Sequence, residues 1–298
     1  MPPLPPKLPH SAHEISAELP ADWPFRDVSF RREVHGIRWH FQQLGSGPSL
    51  LLVHGTGGAT SSWHHCLEVL ARDYAVTVID LPGHGFTTVP DDVDKRDDVY
   101  SLAGMARAVG ALLRHIEVAP SLVAGHSAGV AVLVRMTLDG LIAPSRIVGF
   151  NPALVAPPAW YVSLVAPMLA TLFESRALAD GGAWLARSTG IIGQMLTSTG
   201  TTLSPADLAR YEYLCRMPSH VHAALAMMSR WDLPRIVRDA VGLSVPLELY
   251  AGANDRWVPF AALSKSVSRI PAASLNSIAG AGHLLLEERP DVVVGALT

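Results

Sequence analysis

Charge is scarce in this chain. Asp, Glu, Lys and Arg make up only 16% of its 298 residues, and the formal net charge is −3. That excludes the basic face a nucleic-acid binder needs. Hydrophobic residues reach 49%, which excludes a disordered chain. Cysteine is scarcer still. Cys66 and Cys215 stand far apart and form no Cys-x-x-Cys pair, so no disulfide framework is expected and a reducing compartment suits the chain. Uninterrupted apolar runs of spanning length are also missing. The nearest, Pro152–Leu172, is broken by Pro157, Pro158 and Pro167 and reads either as broken helices buried in a cap or as an interfacial segment touching an apolar surface. The opening MPPLPPKLPH has five prolines and no apolar leader core, so it predicts an extended surface arm, not a signal peptide. A cytoplasmic protein is expected, with peripheral membrane contact left open.

What is present is a rhythm of short buried strands and helices. Val28–Val34 and Ile37–Leu44 read as a hairpin turning at His35-Gly36. Ser49–Val53, Ala75–Ile79, Ser121–Ala124, Arg146–Phe150, Pro246–Tyr250 and Ser274–Ile278 are short apolar runs, the pattern of strands buried on both faces. Tyr100–Val118 and Ala128–Leu138 have apolar residues at helical spacing. Such alternation predicts an α/β fold, a mostly parallel central sheet flanked by helices. The rhythm stops after the strand at 146–150. Residues 153–243 are helical in pattern and read as a cap inserted over the carboxyl ends of the strands, where open α/β sheets bind ligands. The expected organisation is a Pro-rich arm at 1–27, a core at 28–152 and 244–298, and a helical cap at 153–243.

Three loops carry the candidate chemistry. Gly125-His126-Ser127-Ala128-Gly129 lies between a strand and a helix. In that turn a serine is lifted above the sheet edge and the next backbone N–H, that of Ala128, faces a developing oxyanion. His54-Gly55-Thr56-Gly57-Gly58 follows an earlier strand and offers the second oxyanion donor, Thr56 N–H, with Gly57 as the neighbouring candidate. Asp255 ends the turn after Pro246–Tyr250, and His283 follows the last strand. The order Ser127, Asp255, His283 suits a nucleophile, an orienting acid and a general base. The remaining histidines read as structural. His84 belongs to a tight turn. His64-His65-Cys66 starts a helix, where adjacent side chains diverge, and His220-Val221-His222 is wrongly spaced for two ligands on one helix face. No metal or cofactor is expected. The cap holds Trp160, Tyr161, Phe173, Trp184, Tyr211, Tyr213 and Trp231 with the Met227-Met228 pair, suited either to packing or to a flat apolar ligand.

From residue 28 onward the three loops resemble the α/β-hydrolase superfamily. A closer likeness rests on Asp22-Trp23-Pro24, Ile37-Arg38-Trp39-His40, Asp80–Thr87 (DLPGHGFT), Met136–Gly140 (MTLDG), Ser219–Met228 (SHVHAALAMM) and Trp231-Asp232-Leu233. Together these resemble the magnesium-chelatase accessory proteins of bacteriochlorophyll biosynthesis. Ser61 and Pro152 depart from that pattern. The resemblance implies a role near insertion of Mg²⁺ into protoporphyrin IX, with a tetrapyrrole and the chelatase subunits as prospective partners. It does not itself imply a hydrolysed bond. Three expectations follow: a serine hydrolase acting at that step on an apolar substrate, a general serine esterase or C–C bond hydrolase, or a non-catalytic protein that binds porphyrin or docks on the chelatase. An intact nucleophile, base and oxyanion loop favours chemistry over binding alone.

Overall fold

The computed structural model describes residues 13–14, 19–155, 180–181 and 190–298. Most of the Pro-rich opening, most of the Pro152–Leu172 run, and Trp160, Tyr161, Phe173 and Trp184 lie outside the described residues.

Nine strands among the described residues form one sheet: β1 (His13–Glu14), β2 (Ser29–Val34), β3 (Ile37–Leu44), β4 (Ser49–Val53), β5 (Ala75–Ile79), β6 (Leu122–His126), β7 (Arg146–Phe150), β8 (Leu247–Gly252) and β9 (Ala273–Ile278). Their order is β1-β2-β3-β5-β4-β6-β7-β8-β9. The first three strands join antiparallel, and every pair from β5 through β9 is parallel. The strands predicted at Ser49–Val53, Ala75–Ile79 and Arg146–Phe150 have those bounds. β6 runs two residues further than its apolar run suggests, because Gly125 and His126 pair with Gly149 and Phe150.

Period-two alternation divides the core into two layers. Leu51, Val53, Val123 and Ile147 face one way, onto the helices Leu102–His115 and Ala128–Leu138. Leu50, Leu52, Leu122, Ala124, Val148 and Phe150 face the other, onto Trp63, Leu67, Leu285 and Val293. Both faces are covered, which is why these strands read as continuous apolar runs.

Between β7 and β8 every described element is helical: Ile191–Ser198, Pro205–Cys215, Pro218–Arg230 and Leu233–Asp239, then a short 3₁₀ turn. Ile236 and Val237 of the last helix join the buried cluster beneath helix Ala128–Leu138. The chain before β2 also reaches this helical block, called the cap below: Leu19 and Trp23 pack with Ala59 and Leu214, and the Trp23 ring meets Phe86 edge-on at 4.9 Å. Among the described residues no helix is long and apolar enough to cross a membrane.

The topology selects one crevice. From β4 the chain moves to β5 on one side and then to β6 on the other, so the strand order reverses at β4. Ligands of open α/β sheets bind outside the carboxyl ends of the strands at such a reversal. Here those ends carry His54–Gly58 and Ser127.

Candidate active site

Ser127 occupies the one position between β6 and helix Ala128–Leu138, at φ 49° and ψ −114°. That backbone is costly for a residue with a Cβ, of order 1–3 kcal/mol, and persists only where neighbours impose it. The imposing contacts are visible. Ser127 N–H donates to Phe150 O at 2.9 Å, and Ser127 O accepts from Ala153 N–H at 3.0 Å. The flanking glycines are steric requirements: a Cβ at Gly125 would stand 2.7 Å from Gly129 C, and one at Gly129 would stand 2.4 Å from Val53 O.

His283 Nε2 lies 3.1 Å from Ser127 Oγ, and His283 Nδ1 lies 2.7 Å from Asp255 Oδ2. All three side chains are buried or nearly so. Asp255 Oδ1 accepts from the N–H groups of Trp257 and Val258, both at 2.8 Å. Its Oδ2 also accepts from Asn151 Nδ2 at 2.6 Å. Burial alone would raise the Asp255 carboxyl, but His283, the Val258 N–H and Asn151 hold it below the usual carboxylate range. Asn151 was legible only as the residue following β7. Its φ of 45° turns the chain so that its amide spans Asp255 and Gly282 O.

Sequence reading also missed the brace beneath this pair. Thr199–Thr202, between the cap helices Ile191–Ser198 and Pro205–Cys215, threads between the two late loops. Thr199 O accepts from Arg256 N–H at 3.1 Å, and Thr201 Oγ1 accepts from Leu284 N–H at 3.0 Å. Glu288 accepts from Gly282 N–H at 2.7 Å and from Thr202 N–H at 3.0 Å. Gly200 sits at φ 87°, where a Cβ would be 2.1 Å from Asn254 O.

The loop His54–Gly58 is packed on the serine turn. A Cβ at Gly55 would be 2.9 Å from Ser127 Cβ. Gly58 N–H closes the turn onto Gly55 O at 3.0 Å, leaving half-buried Thr56 at its corner. Ala128, as the first residue of its helix, has no intrahelical acceptor for its N–H.

Charge near the site is kept low by burial. His54 Nδ1–H donates to Gly55 O at 2.7 Å while Nε2 accepts from Leu81 N–H at 2.9 Å, a pattern only the neutral ring can make. His126 donates from Nε2 to His283 O at 2.8 Å, and burial pushes it down to about 3. It therefore adds no positive charge beside His283, whose ring centroid is 5.1 Å away. Cys66 and Cys215 are pushed up by burial to about 12 and about 11, so neither is a thiolate nucleophile.

His64 and His65 do not diverge as adjacent helix residues are expected to. Their rings lie 3.7 Å apart, and both Nε2 atoms stand 3.3 Å from Asp207 of the cap. The pair begins the helix directly after a 3₁₀ turn, and His64 Nδ1 is tied back to Ser61 O at 2.7 Å. Three ligand-type groups thus converge. Arg210 already supplies the cation, at 2.8 Å from Asp207 and 3.1 Å from His64 Nε2. Ser204 Oγ also donates to the carboxylate, at 2.5 Å. The cluster is a latch between cap and core whose polar atoms are already engaged. His84 is a buried turn residue whose Nδ1 lies 3.1 Å from Pro82 O.

Of the cap aromatics among the described residues, two are committed to packing. Tyr211 donates to Glu287 at 2.6 Å, and Trp231 Nε1 donates to Tyr100 O at 2.9 Å. Tyr213 and Met228 are exposed.

This strand order, with a strained serine after its central strand and a histidine after its last, defines a class. The family described as Alpha/beta hydrolase family matches residues 50–296, and the chain belongs to it. More particularly, it is 34% identical over 286 residues to the Magnesium-chelatase 30 kDa subunit of Rhodobacter capsulatus, spanning 94% of this chain and 96% of that one. It is 29% identical over 263 residues to the Pimeloyl-[acyl-carrier protein] methyl ester esterase of Xanthomonas axonopodis pv. citri, spanning 87% and 96%. An alpha/beta hydrolase fold protein from Burkholderia ambifaria superimposes with a TM-score of 0.73 at 26% identity, over 90% of this chain and 96% of that one.

Proposed function

We propose that the chain is a serine hydrolase whose triad is Ser127, His283 and Asp255. The observation that carries this reading is the continuous relay from Ser127 Oγ through His283 to Asp255, at 3.1 and 2.7 Å. Ser127 Oγ attacks a carbonyl carbon as His283 Nε2 takes its proton. Asp255 fixes the tautomer and stabilises the imidazolium without itself becoming protonated. The N–H groups of Thr56 and Ala128 receive the oxyanion, each contributing roughly 3–4 kcal/mol to the barrier reduction. His283 then protonates the leaving group. The acyl-enzyme forms with loss of that group, and water deprotonated by His283 releases the acid.

For the substrate we propose an apolar molecule of tetrapyrrole type, handled at or near Mg²⁺ insertion into protoporphyrin IX in bacteriochlorophyll biosynthesis. The near full-length likeness to a protein named as a magnesium-chelatase subunit supports it, and chelatase subunits are the partners it suggests. The likeness to a methyl ester esterase favours a second reading, an ordinary carboxylic ester.

One labelling experiment separates these. A fluorophosphonate is expected to modify Ser127 in the wild type and to leave Ser127→Ala untouched. Protoporphyrin IX at micromolar concentration is expected to slow that labelling. Modification persisting in Ser127→Ala removes the nucleophile assignment. Labelling indifferent to porphyrin leaves the esterase reading in place of the tetrapyrrole one.

A further inference from the structure

Helix Pro218–Arg230 of the cap is tied to the core at both ends. At its far end Arg230 reaches both Asp94 oxygens, at 3.0 and 3.1 Å, and the Trp231 indole reaches Tyr100 O. At its near end stands His220, fully buried and bonded through both ring nitrogens. Nδ1 accepts from Gly85 N–H at 3.0 Å, so the ring proton must sit on Nε2, which donates to Gly57 O at 3.1 Å. One imidazole thus joins three separate pieces of chain: the cap helix, the Asp80–Thr87 loop and the His54–Gly58 loop.

The Asp80–Thr87 loop is itself rigid. Buried Asp80 accepts from Thr60 N–H at 2.6 Å, Phe86 N–H at 2.8 Å and His40 at 2.6 Å. From the core side His54 binds the same loop through Leu81 N–H. The turn bearing Thr56 is therefore held between two histidines, one below it in the core and one above it in the cap. Space next to Gly57 is otherwise open: a Cβ there would meet nothing within 4 Å. Nothing but the hydrogen bond from His220 steadies its carbonyl from the cap side among the described residues.

We infer that His220 is a positioning residue: through Gly57 O it fixes the Gly57-Gly58 peptide, whose N–H holds Gly55 O, and so makes the Gly55-Thr56 peptide and its oxyanion donor depend on the cap being seated. Pre-oriented donors matter because they are aimed before charge develops. A loosened one loses transition-state stabilisation while ground-state binding is little changed. The consequence for rate rests on the serine-hydrolase reading; the immobility of the loop does not.

The test compares wild type, His220→Ala and His220→Gln in the full chain. An amide retains one acceptor and one donor where the imidazole had them, so Gln is the rescue variant. Hydrogen exchange of the peptide covering Gly55–Gly58 is expected to quicken at least tenfold in His220→Ala and to return toward wild type in His220→Gln. Fluorophosphonate labelling of Ser127 and kcat on a short acyl ester are expected to fall roughly 10- to 100-fold in His220→Ala, with KM within about twofold and partial recovery in Gln. Exchange at 55–58 unaltered in His220→Ala overturns the positioning role. So does a fall in activity that is all in KM, or one that Gln does not relieve while its melting temperature matches wild type. Absence of Ser127 labelling in the wild type would instead defeat the hydrolase reading, and the exchange data would still decide what His220 holds.

Discussion

At Asp255 four hydrogen bonds converge on one carboxylate, and each has a separate job. The Trp257 and Val258 N–H groups fix Oδ1, Asn151 and His283 share Oδ2, and the result is a charged acid aimed at a single ring nitrogen. Asp255→Asn keeps the shape but presents an amide that can donate to Nδ1, so the neutral histidine is driven into the wrong tautomer. Its kcat is expected to fall by about 10⁴-fold with folding intact. Near-normal turnover, measured with unchanged circular dichroism, would move the acid elsewhere. The end of β7 offers Asn151, which carries no charge. Ser127, Asp255 and His283 were legible because each falls at a strand end in a known chain order. Asn151, His220 and Glu288 were not, because a polar residue at a strand end or on a helix has no periodic signature until its partner is known.

The stretch that matters most for the site lies between the cap helices Ile191–Ser198 and Pro205–Cys215. Thr199–Thr202 carries no motif, yet it braces the loops of both Asp255 and His283. Gly200 makes that possible, since only a residue without a Cβ holds φ 87° with Asn254 O so close. Gly200→Ala should therefore lower the melting temperature by several degrees, for strain of about 1–3 kcal/mol plus the steric conflict. It should also slow Ser127 labelling, because the late loops are pushed apart. An unaltered melt would show that the crossing relaxes freely. The same scale explains the His64-His65 surprise. Helical spacing describes residues inside a helix, whereas this pair sits at its first turn, where Ser61 O and a carboxylate from another element orient the rings.

Across the whole molecule, cap and core meet through polar groups, some half-exposed and some that water no longer reaches. Tyr211 of the cap donates to Glu287 of the core, whose Oε2 has no hydrogen-bond partner among the described residues. Burial pushes the Glu287 carboxyl from its ordinary 4.5 up to about 8. A raised folded-state value means the folded protein holds that proton more tightly than the unfolded chain. The resulting stability is fully present below about pH 4.5 and is lost as pH rises through about 8. Melting temperature followed from pH 5 to 8.5 is expected to decline, and Glu287→Gln, which stays neutral, should flatten the decline. Equal slopes in the two proteins would show that Glu287 is charged in the fold. Asp80, Asp207 and Asp255 act in the opposite sense. Their partners outweigh burial and hold them below the usual range, so their contribution disappears on acidification below about pH 4.

The order of strands and helices, the buried character of the central strands and the position of Ser127 between β6 and its helix were determined by sequence alone. Each follows from local rules: period-two burial, helical spacing, and glycines where a turn leaves no room for Cβ. The helical block between β7 and β8 was legible as an interruption of that rhythm. Tertiary structure alone decided that the first residues after the cap's helix Ile191–Ser198 cross between the loops bearing Asp255 and His283, and that a cap histidine touches the loop after β4. It also decided that two adjacent histidines converge on one aspartate. Those contacts join residues tens to more than a hundred positions apart. No local propensity encodes such a distance, and only the closing of the cap onto the sheet edge brings them within a hydrogen bond of one another.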